Sequence, residues 1–311
     1  MAPMIVVAGE ALIDLLVHPD GRLVATPGGG PFNAARTIAR LGGSVAYLGC
    51  LSTDRFGAML RDALATDGVQ MSLTLASDMP TTLAIAELDE RGGAAYRFHT
   101  AETSAPRVSA VDVAAALAIR PRALHLGTLG LVLEPMATAL SSGTASIPPD
   151  TLVMLDPNCR PAVIPDRAAY LGRLDGVLTR ADVVKVSHDD LAYLDPGADP
   201  VDAARDIARR GPSVVLLTNG GRAVVVFTAT ETFEVAVRQV AVVDTVGAGD
   251  AFGGGFLARW TELGLGRAEL AHSSAVREAV TCAIAVASET CRRAGANPPN
   301  RDEAGWPPVG A

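Results

Sequence analysis

Lysine is almost missing from this chain: Lys185 is the only one in 311 residues, and arginine carries the remaining side-chain positive charge. The shortage excludes two architectures. A Walker A loop needs Gly-Lys-Ser/Thr, and a protein kinase needs the lysine of its Val-Ala-Ile-Lys strand. Lys185 stands in Asp182-Val183-Val184-Lys185-Val186-Ser187 with no glycine-rich loop before it, so neither is expected. Aromatic residues are scarce at 4%, which makes the core aliphatic. With a net charge of −8 the chain lacks the basic face of a nucleic-acid binder. Cys50, Cys159, Cys282 and Cys291 form no CxxC pair, and the expectation is reduced, structural thiols in a cytoplasmic protein. The apolar stretch from Met4 to Val17 carries Glu10 and Asp14 and has no basic leader. It reads as a buried strand, neither signal peptide nor membrane span. Its histidines, among them His18, His125, His188 and His272, show no metal-ligand spacing.

What is present is a long alternation. Hydrophobic residues make up 49% and charged ones 19%, enough apolar content for a large core. Strand-like runs occur at Ile5–Ala8, Val45–Leu48, Leu124–Leu126, Leu152–Leu155, Val183–Val186, Val214–Leu217 and Val224–Phe227. Helical patterns such as Pro31–Leu41 and Asp54–Thr66 lie between them, the second with Phe56, Leu60, Ala63 and Leu64 on one face. This rhythm predicts one α/β domain over 1–311, a mostly parallel sheet with helices on both sides and ligands at the carboxyl ends of its strands. Thr81–Asp89 and Ala94–His99, joined by Glu90-Arg91-Gly92-Gly93, read instead as a hairpin, and Leu12–His18 ends in a Pro-Asp-Gly turn. These pieces, about 12–26 and 73–103, are expected to form a small antiparallel β-lid or else an edge extension of the main sheet. The tail after Gly295 reads as irregular and mobile.

The chemistry concentrates in a few loops. Val242 to Phe252 reads Val-Val-Asp-Thr-Val-Gly-Ala-Gly-Asp-Ala-Phe: a β-branched run, a Gly247-Ala248-Gly249 turn, then Asp250 as a helix begins. Backbone N–H groups at a helix start form an anion site. A carboxylate there repels a phosphate unless it has a task, and a base for a hydroxyl beside an anion site points to phosphoryl transfer. Gly28-Gly29-Gly30-Pro31-Phe32-Asn33 allows close approach of backbone to ligand, and Asn33 both donates and accepts, as vicinal sugar hydroxyls require. Asp14 adds an acceptor. Asp156-Pro157-Asn158-Cys159-Arg160 and Ser187-His188-Asp189-Asp190 each follow a strand. The first offers an amide and a guanidinium. The second suits either a helix cap or a water-mediated Mg²⁺ contact through Asp190, the two readings standing level. Thr218-Asn219-Gly220-Gly221 turns a further strand into a hairpin.

Taken in order, Gly9-Glu10-Ala11-Leu12-Ile13-Asp14, Gly28–Asn33, Leu41-Gly42, Asp54-Arg55-Phe56-Gly57, Asp156-Pro157-Asn158, Ala181–Ser187 and Asp244–Phe252 resemble the ribokinase-like (PfkB) carbohydrate kinases. The likeness spans roughly residues 4–296 and looks closest to the fructokinase and 2-keto-3-deoxygluconate kinase branch. It implies a Rossmann-like three-layer domain with a β-lid, and transfer of the γ-phosphate of ATP, with Mg²⁺, to a sugar hydroxyl. Asp250 matches the family's base, and Gly247, Ala248 and Gly249 its anion hole. Asp14, Gly29, Gly30, Asn33, Asn158 and Arg160 match the sugar side, with Arg97 from the lid. Lys185, Ser187, Thr218, Gly220 and Gly249 match the nucleotide side. Asp244 and Val246 match backbone positions of a K⁺ loop found in some members. The chain departs from the pattern at Asp190, where the family has glutamate, and at Val246, where threonine is common. Fructose is the first choice of substrate, ahead of a keto-deoxy sugar acid, ribose or a nucleoside. A non-catalytic regulatory protein is the reading from another class, and a homodimer through the exposed lid edge is expected.

Overall fold

The computed structural model describes residues 4–88 and 94–309, so the predicted Glu90–Gly93 turn lies outside the described residues. An eight-stranded sheet runs through the molecule in the order Thr232–Val235, Val224–Thr228, Val214–Thr218, Val183–Ser187, Leu152–Asp156, Ala123–Gly127, Ile5–Ala8, Val45–Leu48. The strands from Val214–Thr218 onward are all parallel, and the two at the far edge are antiparallel. Continuous Val/Leu/Ile runs suit strands buried on both faces. Ile5, Val7, Met154, Val183 and Leu216 pack on one side, against helices Gly30–Arg40, Ala248–Glu262 and Ser273–Thr290. Val6, Ala8, Leu155, Val184 and Leu217 pack on the other, against Ala110–Ala118, Arg167–Leu178 and Pro200–Ala208. Each such side chain contributes roughly 1.5–3 kcal/mol of burial. Gly254 lets two helices touch: a Cβ there would fall 2.9 Å from the Ala34 carbonyl oxygen.

A separate four-stranded sheet stands off this body in the order Leu23–Gly28, Leu12–Val17, Leu83–Leu88, Ala94–His99. It is mixed rather than purely antiparallel, because Leu12–Val17 runs parallel to Leu83–Leu88. Leu75–Ser77, expected in the lid, pairs instead with Cys50–Ser52 in a two-stranded sheet. The tail is held, not loose. Pro298 and Pro299 are buried, Arg301–Ala304 is helical, and the Trp306 indole N–H donates to Glu262 at 2.8 Å. Among the described residues no helix is long and apolar enough to cross a membrane.

Candidate active site

The carboxyl ends of the parallel strands and the start of the Ala248–Glu262 helix meet in one cleft. Gly247 caps that helix at φ 76°, a left-handed conformation, and a Cβ there would lie 2.6 Å from the Ala296 Cβ. Only glycine satisfies both demands. Asp250 follows in the first turn, where Asn33 Nδ2 donates to its Oδ2 at 2.9 Å. Burial pushes the Asp250 carboxyl above its ordinary pKa, while the Asn33 bond and the charges of Lys185 and Arg160 pull it back. The other oxygen, Oδ1, lies against Gly30: a Cβ on Gly30 would fall 3.3 Å from it and 2.5 Å from Thr128 Oγ1.

Beneath the glycine turn lies the single lysine. Lys185 Nζ donates to both oxygens of Asp156, at 3.2 and 3.0 Å, and a Cβ on Gly249 would sit 3.0 Å from it. Burial works against its charge, but the carboxylates of Asp156, Asp190 and Asp250 outweigh burial and hold its pKa above the usual value. The helix-start amides therefore have a fixed ammonium under them.

Opposite Asp250, Asp14 looks in from the small sheet. Burial and the nearby Asp250 charge raise its pKa to about 6, against the pull of Arg160. The backbone turns sharply at Gly29, where φ is 111° and a Cβ would lie 2.7 Å from the Glu10 carbonyl oxygen. Asn158 takes a left-handed φ of 40°, with its Nδ2 3.5 Å from Thr128 Oγ1, and Arg160 Nη1 donates to the Asn158 carbonyl at 3.3 Å. The cleft thus gathers Asp14, Gly29, Gly30, Asn33, Asn158, Arg160, Lys185 and Asp250.

Two assignments change. Asp190 is not an open metal ligand. It is 2% exposed, with Oδ1 accepting from Cys159 N and Oδ2 from both Ser187 N and Ser187 Oγ. Together with Ser187, whose Oγ accepts from Asp190 N, it forms a capping box, and the cap reading fills the geometry. Arg97 does not face the cleft. The register pairs Asp14 with Ala84 and Ala84 with Phe98, so these three share the cleft face. Arg97 and His99 alternate to the outer face, where Arg97 sits 3.6 Å from Glu87. The inward side chains of that strand are Tyr96 and Phe98. Phe32, another aromatic near the glycine turn, is core: it is 0% exposed and packs edge-on to Tyr47.

On the nucleotide side, Thr218 ends its strand with Oγ1 donating to Val186 O at 3.3 Å, beside Ser187 on the neighbouring strand. Gly220 takes φ 52° in the exposed hairpin turn. Asp244 folds its own loop, accepting from Val246 N at 3.0 Å and Gly295 N at 2.8 Å. Two residues escaped the sequence reading. Glu10 is wholly buried, and burial pushes its carboxyl up to about 8 against the backbone bonds it accepts. Thr128 holds φ 52°, rare for a β-branched residue. The only sequence signal for Glu10 was an acid inside an apolar run; Thr128 carried none.

A glycine-capped helix start with a buried carboxylate in its first turn and an ammonium beneath it is an arrangement suited to phosphoryl transfer in an open α/β fold. The model of the pfkB family carbohydrate kinases matches residues 2–303, and the chain belongs to that family. It is 33% identical over 255 residues to a fructokinase of Salmonella typhimurium, covering 81% of this chain and 82% of that protein. Among solved structures, the fructokinase of Xylella fastidiosa with bound ATP superposes with a TM-score of 0.89 at 28% identity, over 98% of this chain and 97% of that one. The fructokinase of Vibrio cholerae O395, bound to fructose, ADP and calcium, gives 0.84 at 25%, over 97% of each chain. The protein is a carbohydrate kinase.

Proposed function

We propose that this kinase transfers the γ-phosphate of ATP to a hydroxyl of fructose. The observation that carries the reading is Asp250: one oxygen held by Asn33, the other beside Gly30, in the first turn of a helix that opens on the Gly247 turn. Asp14, Gly29, Gly30, Asn33, Asn158 and Arg160 take the sugar, and fructose is favoured by the fructokinases that the chain resembles. Lys185, Thr218, Gly220 and the turn Gly247–Gly249 take the nucleotide.

Positioning and charge stabilisation do most of the work in phosphoryl transfer. The sugar hydroxyl gives its proton to Asp250 Oδ1 as its oxygen bonds the γ-phosphorus and the bond to the ADP oxygen breaks. The Gly247 and Gly249 amides and the Lys185 ammonium stabilise the charge developing on the transferred group, while the Ala248 N–H donates to the Thr245 carbonyl at 3.2 Å. The small sheet acts as a lid, with Tyr96 and Phe98 over the sugar. Mg²⁺ travels with ATP. Among the described residues no three His, Cys, Asp or Glu side chains are grouped to hold a metal. When bound, it neutralises the phosphate oxygens. K⁺ would rest on the backbone carbonyls of Asp244 and Val246. Leu23 and Val24, exposed on the edge strand of the lid, suit pairing with a second copy, and the free thiols suit the cytoplasm.

The test is ADP release with ATP and Mg²⁺ across fructose, other hexoses, ribose, keto-deoxy sugar acids and nucleosides. Fructose giving the highest kcat/KM is the expected result. A higher value for another member reassigns the sugar, and silence over the whole panel leaves a non-catalytic binding protein.

A further inference from the structure

Glu10 has no part in the chemistry above, yet its carboxyl group is wholly buried beside it. A buried carboxyl group is costly unless its oxygens are satisfied. Here each oxygen serves a different turn: Oε1 accepts from Gly30 N and Oε2 from Gly130 N, both at 3.1 Å. Those two turns come together beside Asp250. A Cβ on Gly30 would be 2.5 Å from Thr128 Oγ1 and 3.3 Å from Asp250 Oδ1, so the threonine hydroxyl and the base carboxylate border the same small space. Thr128 reaches that place with a φ of 52°. A β-branched residue stays in such a conformation only where its surroundings over-determine it. The bond from Gly130, two residues on, and the bond from Gly30, against the Thr128 hydroxyl, are part of those surroundings.

We propose that Glu10 is a positioning residue that sets the spacing of the Gly30 and Gly130 turns, and that Thr128 is the hydroxyl it presents to the acceptor sugar beside Asp250. The proposal rests on the kinase reading. Asn158 Nδ2, 3.5 Å from Thr128 Oγ1, is placed to donate to it, which leaves the threonine O–H free to donate toward the sugar. The contact falls on a hydroxyl next to the one phosphorylated, and so acts on sugar affinity and selectivity rather than on the proton transfer.

The variants are Glu10→Gln, Thr128→Ala and Thr128→Ser, assayed for the KM of fructose, the KM of ATP and thermal unfolding. Glutamine keeps the shape but turns one acceptor into a donor facing an N–H, so one of the two bonds breaks. Glu10→Gln and Thr128→Ala are each expected to raise the sugar KM about tenfold, the scale of one lost hydrogen bond, with the ATP KM unchanged. Thr128→Ser should restore most of the sugar affinity. A wild-type sugar KM in Thr128→Ala, or a serine variant as impaired as the alanine one, overturns the role of Thr128. A Glu10→Gln protein that melts earlier but keeps its sugar KM reduces Glu10 to internal support. If Glu10→Gln does not fold, the threonine pair decides alone. Wild-type protein that turns over no sugar strikes the kinase reading instead, a result that none of the variants can imitate.

Discussion

The floor of the cleft and the small sheet above it hold their charged groups in opposite ways. On the floor, Lys185 and Asp156 are 4% and 2% exposed and bonded to each other, and Asn33 fixes Asp250. In the sheet, Arg97 and Glu87 meet at 3.6 Å with side chains 70% and 49% exposed. A surface pair of that kind contributes about 0–1 kcal/mol. The floor is therefore set before any ligand arrives, as electrostatic catalysis requires. Besides Asp14, the sheet turns two aromatic side chains inward. Rate should depend on the floor, and the sheet should act on sugar affinity alone.

The largest effect that tests this division is on the base. Asp250→Asn keeps the shape and a hydrogen-bonding partner for Asn33 but cannot take a proton. Turnover should fall about 10³-fold, within the range of general-base catalysis, while calorimetry finds fructose and ATP affinities close to wild type. A loss below tenfold would place the base elsewhere.

Next is the ion pair below the glycine turn. Lys185→Met leaves Asp156 buried without its cation, at a cost of about 3–5 kcal/mol. The melting temperature should drop by several degrees, and turnover with it. Adding Asp156→Asn should recover much of the stability and none of the turnover. Recovery of both would make the pair a structural feature without a role in catalysis.

This contrast also explains what could be read from the sequence. The floor is encoded in short segments: Gly247-Ala248-Gly249-Asp250 carries its turn, its helix start and its carboxylate within four neighbours, and Asp156-Pro157-Asn158 follows its strand directly. Such local geometry survives as pattern. Glu10 does not, because its partners are backbone N–H groups 20 and 120 residues away. Arg97 was misplaced because alternation predicts that Arg97 and His99 share a face but not which face meets the sugar. Only the register from Asp14 through Ala84 to Phe98 decides that. The sequence does not separate cap from metal at Asp190, since one acid in a first helical turn looks the same in both. Its three backbone and hydroxyl donors resolve it.

Asp14 bridges the two regions, belonging to the sheet while facing the floor. Its carboxyl is raised to about 6, chiefly by burial and then by Asp250. The proton is bound below that pH, and the group then loses the acceptor-only character that suits a sugar hydroxyl. The KM for fructose should therefore rise as pH falls from 7 to 5, by up to about tenfold per unit once protonation dominates. Asp14→Asn should bind fructose weakly with a KM flat over the same range. A slope that persists in that variant assigns the titration to another group.

The smallest effects separate the two faces of one strand. Tyr96 lies on the same face of the small sheet as Phe98, 56% exposed, where the proposed lid would lay it over the sugar. Tyr96→Ala should raise the fructose KM severalfold and leave kcat nearly unchanged, because the floor does not move. Arg97→Ala removes only a solvated contact to Glu87, so stability should stay within about 0.5 kcal/mol and both constants within twofold. The pair must be measured together. Equal effects on KM would mean that the strand acts as a whole, by how the sheet closes. A larger effect from Arg97 would turn the strand over on substrate binding, bringing the guanidinium to the sugar and the tyrosine to solvent.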